Sequence, residues 1–280
     1  MLSAHQISRY WDDGFLSPID IMSEGEAVTY RKRLEESEPD WAKIRDQVGF
    51  TGDSLVHVNF VLTLINEVAF HPKLLDAVEG IIGPNVLMYG ADIFLKEPHS
   101  EAYVSWHQDV RYWGLDPCSA VVTAWLALTP AMIANGCMRF YPGSFKGGIL
   151  GHVDTFAKGN MLSRGQAVDS DIDEKRAFYA ELAPGQASFH HGMTFHASTP
   201  NTTGGRRIGL AFRYLAPECR QTVAPKDFAQ LARGRDDFGH FVLLDRIRSD
   251  YAPGAVANFL EVDKMRNLAM YQGAQRRTAG

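Results

Sequence analysis

Three things are scarce in this 280-residue chain, and each scarcity excludes something. Cysteine is rare: only Cys118, Cys137 and Cys219 occur, an odd count with no Cys-X-X-Cys pair. That excludes a disulfide framework and fits reduced, buried thiols in a cytoplasmic protein. Long apolar runs are also missing. No stretch approaches the roughly 20 residues that a membrane-spanning helix needs. The start, Met1-Leu2-Ser3-Ala4-His5, lacks the basic-then-apolar pattern of a secretory signal. Positive charge is not in excess. With 28 Lys and Arg against 33 Asp and Glu the net charge is −5, which leaves no basic footprint for nucleic acid. The expected partner is therefore a small molecule, with neither a membrane nor a nucleic acid. Repeats and low-complexity tracts are absent as well.

What is there is ordinary globular composition, 45% hydrophobic and 22% charged, at a length suited to one domain, 1–280. Residues 1–85 read as helical support. Ser3 with Gln6 and Ser23 with Glu26 are capping boxes, each followed by an apolar stripe (Ile7, Tyr10, Trp11; Ala27, Tyr30, Leu34). Asp13-Gly14 stops the first helix. The apolar run 55–70 reads as a buried helix. His71-Pro72 starts another, ended by Gly83-Pro84.

From residue 86 the period changes to two. Segments 86–96, 119–128, 136–141, 187–191, 194–197 and 206–215 read as strands. Short strands broken by Gly and Pro imply a jelly-roll core over 86–216, so the fold class is mainly β with flanking helices. Residues 145–180 interrupt the rhythm as a lid-like insertion. Residues 217–280 read as a helical C-terminal segment anchored by Phe228, Leu231, Phe241 and Leu244.

Chemistry concentrates in Trp106-His107-Gln108-Asp109. Side chains alternate along an extended segment, so His107 and Asp109 point the same way and offer one nitrogen and one oxygen to one metal. Two histidines and a carboxylate on one face of an octahedron leave positions open, as in non-haem iron(II) oxygenases. The third ligand is read as His196, because it alone has Ser198 two residues and Arg207 eleven residues downstream. If the strands of His196 and Arg207 pair, the planar guanidinium reaches the same cavity and captures a carboxylate. A metal, open positions and a carboxylate anchor together describe a 2-oxoglutarate site. His190 and His191 compete as ligands or as donors that orient one. Arg206 and Arg213 compete with Arg207, with structural ion pairing as the plain reading for all three.

These motifs resemble the phytanoyl-CoA dioxygenase family of iron(II)/2-oxoglutarate oxygenases. The resemblance rests on Trp106-His107-Gln108-Asp109, on Asn135-Gly136-Cys137-Met138-Arg139-Phe140-Tyr141-Pro142-Gly143-Ser144, on His196-Ala197-Ser198 running to Arg206-Arg207, and on Asp13-Gly14-Phe15-Leu16. It implies a double-stranded β-helix, cupin-like in form. It implies His107, Asp109 and His196 as iron ligands and Arg207 as the 2-oxoglutarate anchor, with Ser198 its hydroxyl partner and Trp125 lining the pocket. Fe(II), 2-oxoglutarate and O2 are the implied cofactor and co-substrates. Phe145 departs from the family's usual His after Gly-Ser. Related halogenases replace the carboxylate with a small residue, so the presence of Asp109 favours hydroxylation.

The substrate is less legible. In Gly90-Ala91-Asp92-Ile93-Phe94-Leu95-Lys96, alternation puts Asp92, Phe94 and Lys96 on one face. Asp92 facing a cationic group and Lys96 an anionic one would suit a small zwitterion such as an amino acid, betaine or aminophosphonate; an internal ion pair is the plain alternative. Trp113 is a candidate aromatic wall and Asn59 a candidate polar contact in an apolar run, with core packing and a satisfied buried amide as their plain readings. No basic cluster suits the phosphates of CoA. The rival to a hydroxylase is a cupin-like metal- or small-molecule-binding protein without oxygenase activity, and Arg207 separates the two.

Overall fold

A computed structural model describes residues 1–42 and 55–274. Both predicted capping boxes form, at Ser3 for α1 (Ala4–Asp13) and at Ser23 for α2 (Glu24–Ser37). Gly14 ends α1 in the left-handed conformation that glycine tolerates best. The 55–70 run is only partly a helix. Leu55 bridges Ile93, Val58–Phe60 make a 3-10 turn, and α3 covers Thr63–Ala69. Then come α4 (Pro72–Ile82) and, near the C-terminus, α5 (Pro253–Met270).

The strands in the first half are β1 (Phe15–Asp20), β2 (Val86–Lys96), β3 (Val104–His107), β4 (Leu115–Asp116), β5 (Val121–Ala127), β6 (Met138–Phe140) and β7 (His152–Asp154). The remainder are β8 (Gln166–Val168), β9 (Phe178–Ala180), β10 (Gln186–His191), β11 (His196–Ser198), β12 (Arg207–Leu215), β13 (Arg220–Gln221), β14 (Phe228–Arg233) and β15 (Val242–Leu243). A seven-stranded sheet in the order β1-β10-β5-β12-β2-β14-β15 faces a four-stranded sheet, β3-β11-β6-β9. This is the jelly-roll core.

Two expectations change. Residues 1–85 contain a strand, β1, which pairs with β10 right after α1 stops. The segment from 217 opens not as a helix but with β13, antiparallel to β4, and β14, antiparallel to β2, and among the described residues only α5 is helical there; residues 275–280 lie outside the described residues. Phe228 and Leu231 are three apart, a helical spacing, but here Leu231 pairs with β2 and Phe228 with β15, so ladder partners take the backbone groups that a helix would have used.

The large sheet buries both faces, and its alternation explains the site. The outer residues of β12 (Ile208, Leu210, Phe212, Tyr214) and of β2 (Ala91, Ile93, Leu95) join one apolar core with residues of α2 to α5. The inner residues are Arg207, Gly209, Ala211 and Arg213 on β12, opposite Lys96, Phe94, Asp92 and Gly90 on β2. The interior between the sheets is thus lined by small and charged side chains. The 145–180 insertion is tied down from the metal strand. The Gln108 side chain donates to the carbonyls of Gly148 and Met193 and accepts from the Leu150 N–H, and the Trp106 indole donates to Glu174.

Candidate metal and co-substrate site

β3 and β11 pair with His107 directly opposite His196, so pairing alone brings the two imidazoles together, with ring centroids 4.0 Å apart. Asp109 lies just past the end of β3. Gln108 is still extended, so Asp109 keeps the same side as His107. One Asp109 oxygen, Oδ1, lies 3.3 Å from His107 Nε2 and 3.6 Å from His196 Nε2. The three donor atoms sit within 4.8 Å of one another, close enough to share one ion.

The tautomers suit a metal. His107 Nδ1 is 2.9 Å from the Ser105 carbonyl and His196 Nδ1 is 2.9 Å from the Thr194 carbonyl. A carbonyl only accepts, so each Nδ1 carries the proton and each Nε2 lone pair faces Asp109. Burial, with His107 and His190 nearby, pushes the His196 imidazole well below its ordinary range, which keeps it neutral. Burial opposes the charge of Asp109, but His196, His107 and His190 around it outweigh this and hold its carboxyl well below the usual range.

The other oxygen, Oδ2, is engaged differently. Thr123 donates its hydroxyl to it at 3.0 Å, and His190 Nε2 lies 3.4 Å away. Thr123 and His190 are register partners on β5 and β10. His190 therefore sits against the carboxylate rather than in the three-donor set. His191 faces away: its Nδ1 accepts from the Met193 N–H, and its ring packs against Phe145 at 4.9 Å.

Arg207 is reached by a route other than strand pairing. β12 does not pair with β11; it lies in the opposite sheet between β2 and β5. Arg207 is linked to the His196 strand across the interior through its neighbour on β2. Its register partner Lys96 donates to Ser198 Oγ at 2.7 Å and to the Thr199 carbonyl. Arg207 is 2% exposed, stacks over Trp125 at 5.1 Å and donates to the Gly136 carbonyl at 3.3 Å. Gly209 makes room for that stack, since a Cβ there would lie 1.9 Å from the Trp125 ring. Among the described residues neither Arg207 nor Lys96 has a carboxylate partner. Burial lowers Lys96 to about 6, with Arg207 adding repulsion, and burial lowers Arg207 to about 10. Arg206 points outward into Glu38 and Glu97.

The substrate candidates scatter. Asp92 accepts from Arg213 at 2.5 Å and from the His57 N–H at 3.0 Å. Lys96 belongs to the Arg207 end. Trp113 lies against Arg213, 5.1 Å from its guanidinium carbon. Asn59 is fully buried, donating to Gln230 and accepting from the Ala91 N–H, so it is a satisfied core amide. Sequence reading passed over Thr123, although a polar residue inside Val121-Val122-Thr123-Ala124-Trp125 was a signal. A groove of about 520 Å³ is lined by Trp106, Arg139, Glu174 and Ser198 among others, and the three donors are not in its lining.

Comparison with known proteins agrees with this geometry. Residues 10–209 match the family model for phytanoyl-CoA dioxygenase, and that span includes His107, Asp109, His196 and Arg207. The peroxisomal phytanoyl-CoA dioxygenase of Rattus norvegicus is 26% identical over 79% of this chain and 70% of its own length. The solved structure of ThoJ in its apo form, described as a non-heme monooxygenase, superposes with a TM-score of 0.85 at 30% identity, covering 97% of this chain and all of that one. CytC3 with Fe(II) and alpha-ketoglutarate, at 21% identity and a TM-score of 0.62 over 89% of this chain and 95% of its own, shares the fold. The chain belongs to the phytanoyl-CoA dioxygenase family and is an iron(II)- and 2-oxoglutarate-dependent oxygenase.

Proposed function

We propose that the enzyme hydroxylates an unactivated C–H bond of a small polar metabolite, with 2-oxoglutarate and O2 converted to succinate and CO2. The observation that carries this reading is the pair of buried basic side chains, Arg207 and Lys96, that lack a carboxylate partner among the described residues beside a two-histidine, one-carboxylate donor set. A buried charge without a counter-ion is costly, and a dicarboxylate that spans from the metal to Arg207 would supply the missing charge.

His107, Asp109 and His196 would hold the iron, and their donors fit it. Iron(II) and 2-oxoglutarate, when bound, supply the oxygen-activating chemistry, one oxygen atom going to succinate and the other to substrate. The protein's part is positional. The Ser105 and Thr194 carbonyls fix the imidazole tautomers. Thr123 donates to Asp109 Oδ2 and His190 lies against it, while Oδ1 faces the two imidazoles. With three protein donors, His107, Asp109 and His196, a bound iron would keep room for the keto acid and O2. Arg207, Lys96 and Ser198 would hold the far carboxylate, against the Trp125 ring.

The zwitterion reading loses both of its carriers. Asp92 is engaged by Arg213, and Lys96 lies at the co-substrate end. A reducing, cytoplasmic setting is part of the proposal. Buried cysteines outside any disulfide, Cys137 and Cys219, support it, and among the described residues no helix is long and apolar enough to cross a membrane. Iron-loaded protein in air should convert 2-oxoglutarate to succinate, and His107→Ala should abolish this. Iron binding with no succinate formed, alone or with any candidate metabolite, would favour the cupin-like binder.

A further inference from the structure

We propose that Arg213 is a substrate-binding residue whose free N–H groups take a carboxylate of the metabolite, on the opposite side of the metal from Arg207. The inference rests on the oxygenase reading above and names its substrate class.

Position comes first. Arg213 lies directly opposite Thr123 in the β12–β5 register, and Thr123 lies opposite His190 in the β5–β10 register. These three residues form one row on the inner face, and the latter two touch Asp109 Oδ2. Opposed side chains on neighbouring strands stand about 5 Å apart. Arg213 is therefore one strand from a residue that holds a metal ligand, and six residues along β12 from Arg207. Asp109 lies near enough to add to the stabilisation of its charge.

Its bonding is incomplete. Nη2 is taken by Asp92, but among the described residues Nε and Nη1 have no hydrogen-bond partner, and the residue is 8% exposed. Its neighbour Arg266 shows what a purely structural arginine looks like here. Arg266 Nε donates to Asp227, Nη1 to His57, and Nη2 to the Tyr89 and Phe228 carbonyls. Every guanidinium nitrogen of Arg266 is satisfied, whereas Arg213 keeps two unmatched. Leaving buried N–H groups unmatched is unfavourable, so a ligand acceptor there would be bound tightly.

The surroundings hold the guanidinium still. Trp113 covers it at 5.1 Å, and Tyr89 packs beside Trp113. Asp92 is itself fixed by the His57 N–H. A clamped guanidinium loses little freedom on binding and favours an anion over a neutral amide. No acidic side chain in this cluster is left without a cation: Asp92 has Arg213 and Asp227 has Arg266. The end remote from Arg207 thus offers unused donors and no unused carboxylate, which selects an acid rather than an amine.

The test uses the whole protein with iron(II) and 2-oxoglutarate under argon. The probes are the proteinogenic amino acids, hexanoate and phenylpropanoate, each against its primary amide. Binding is read as a shift of the visible charge-transfer band. At least one acid should shift the band, with its amide about tenfold or more weaker, in line with the loss of a charge-assisted hydrogen bond. That acid should bind Arg213→Met about tenfold or more weakly and Arg213→Lys in between, with 2-oxoglutarate affinity within about twofold of wild type. Acids and amides binding alike, only amides or amines binding, no acid binding at all, or Arg213→Met binding the acid as well as wild type would each overturn the proposal. The acid–amide comparison is made on wild type, so it stands even if a variant misfolds. Absence of the charge-transfer band itself would instead defeat the oxygenase reading.

Discussion

Arg207 and Arg213 stand on the same strand and the same face, both buried, each stacked on a tryptophan at 5.1 Å. They differ in one respect. Arg213 has a carboxylate, Asp92, from its own chain; among the described residues Arg207 has only a backbone carbonyl and a second basic side chain, Lys96, beside it. Burial works against both charges. Asp92 outweighs it at Arg213 and raises its pKa, while nothing comparable acts at Arg207, which falls to about 10. One end of the interior is electrostatically complete with donors to spare. The other is incomplete until an anion arrives. In the proposed site the same residue type thus serves as a scaffold-held donor at one end and an anion anchor at the other, through the choice of neighbour.

Substitutions can break that contrast. Asp92→Asn should have the largest effect on folding, since removing one partner of a buried ion pair costs about 3–5 kcal/mol. Urea unfolding should show that loss. Arg207→Met should leave stability unchanged or slightly improved, because it removes a charge without a partner. It should instead weaken 2-oxoglutarate by about 10–100-fold, measured calorimetrically. His190→Leu, between the two ends, should lower metal affinity about tenfold by freeing Asp109 Oδ2, with His190→Gln recovering part of it.

The smallest effect concerns Lys96. With its folded pKa near 6 and its unfolded value at the ordinary 10.5, only the unfolded chain holds the proton between those limits. Stability of the co-substrate-free protein should therefore rise with pH across that window. A bound dicarboxylate favours the protonated amine, so 2-oxoglutarate binding takes up a proton above about pH 6. Its affinity should fall by up to about tenfold per pH unit there, and Lys96→Met should flatten the dependence.

Much of this was legible in the sequence, and the rest was not for physical reasons. The caps at Ser3 and Ser23 and the strand periods are local signals, and they placed α1, α2 and the strands β2, β5, β6, β10, β11 and β12, while His71-Pro72 and Gly83-Pro84 placed α4. His107, Asp109 and His196 were legible because a two-residue period fixes one pair and a downstream hydroxyl and arginine mark the third. Partner choice across the fold was not. Nothing near Asp92 in sequence announces Arg213, and nothing near Lys96 announces Ser198; both contacts come from register and from sheets facing each other. β14 was missed because edge pairing, not its own pattern, makes it a strand.

The most direct test of the account is anaerobic: iron(II) is added to the metal-free protein, then 2-oxoglutarate, and the visible charge-transfer band of the chelated keto acid is followed in wild type, Arg207→Met and Arg213→Met. A band that saturates alike in wild type and Arg213→Met, but requires about 10–100-fold more 2-oxoglutarate in Arg207→Met, is the predicted result. Iron binding without any band, or a band insensitive to Arg207→Met, would contradict it.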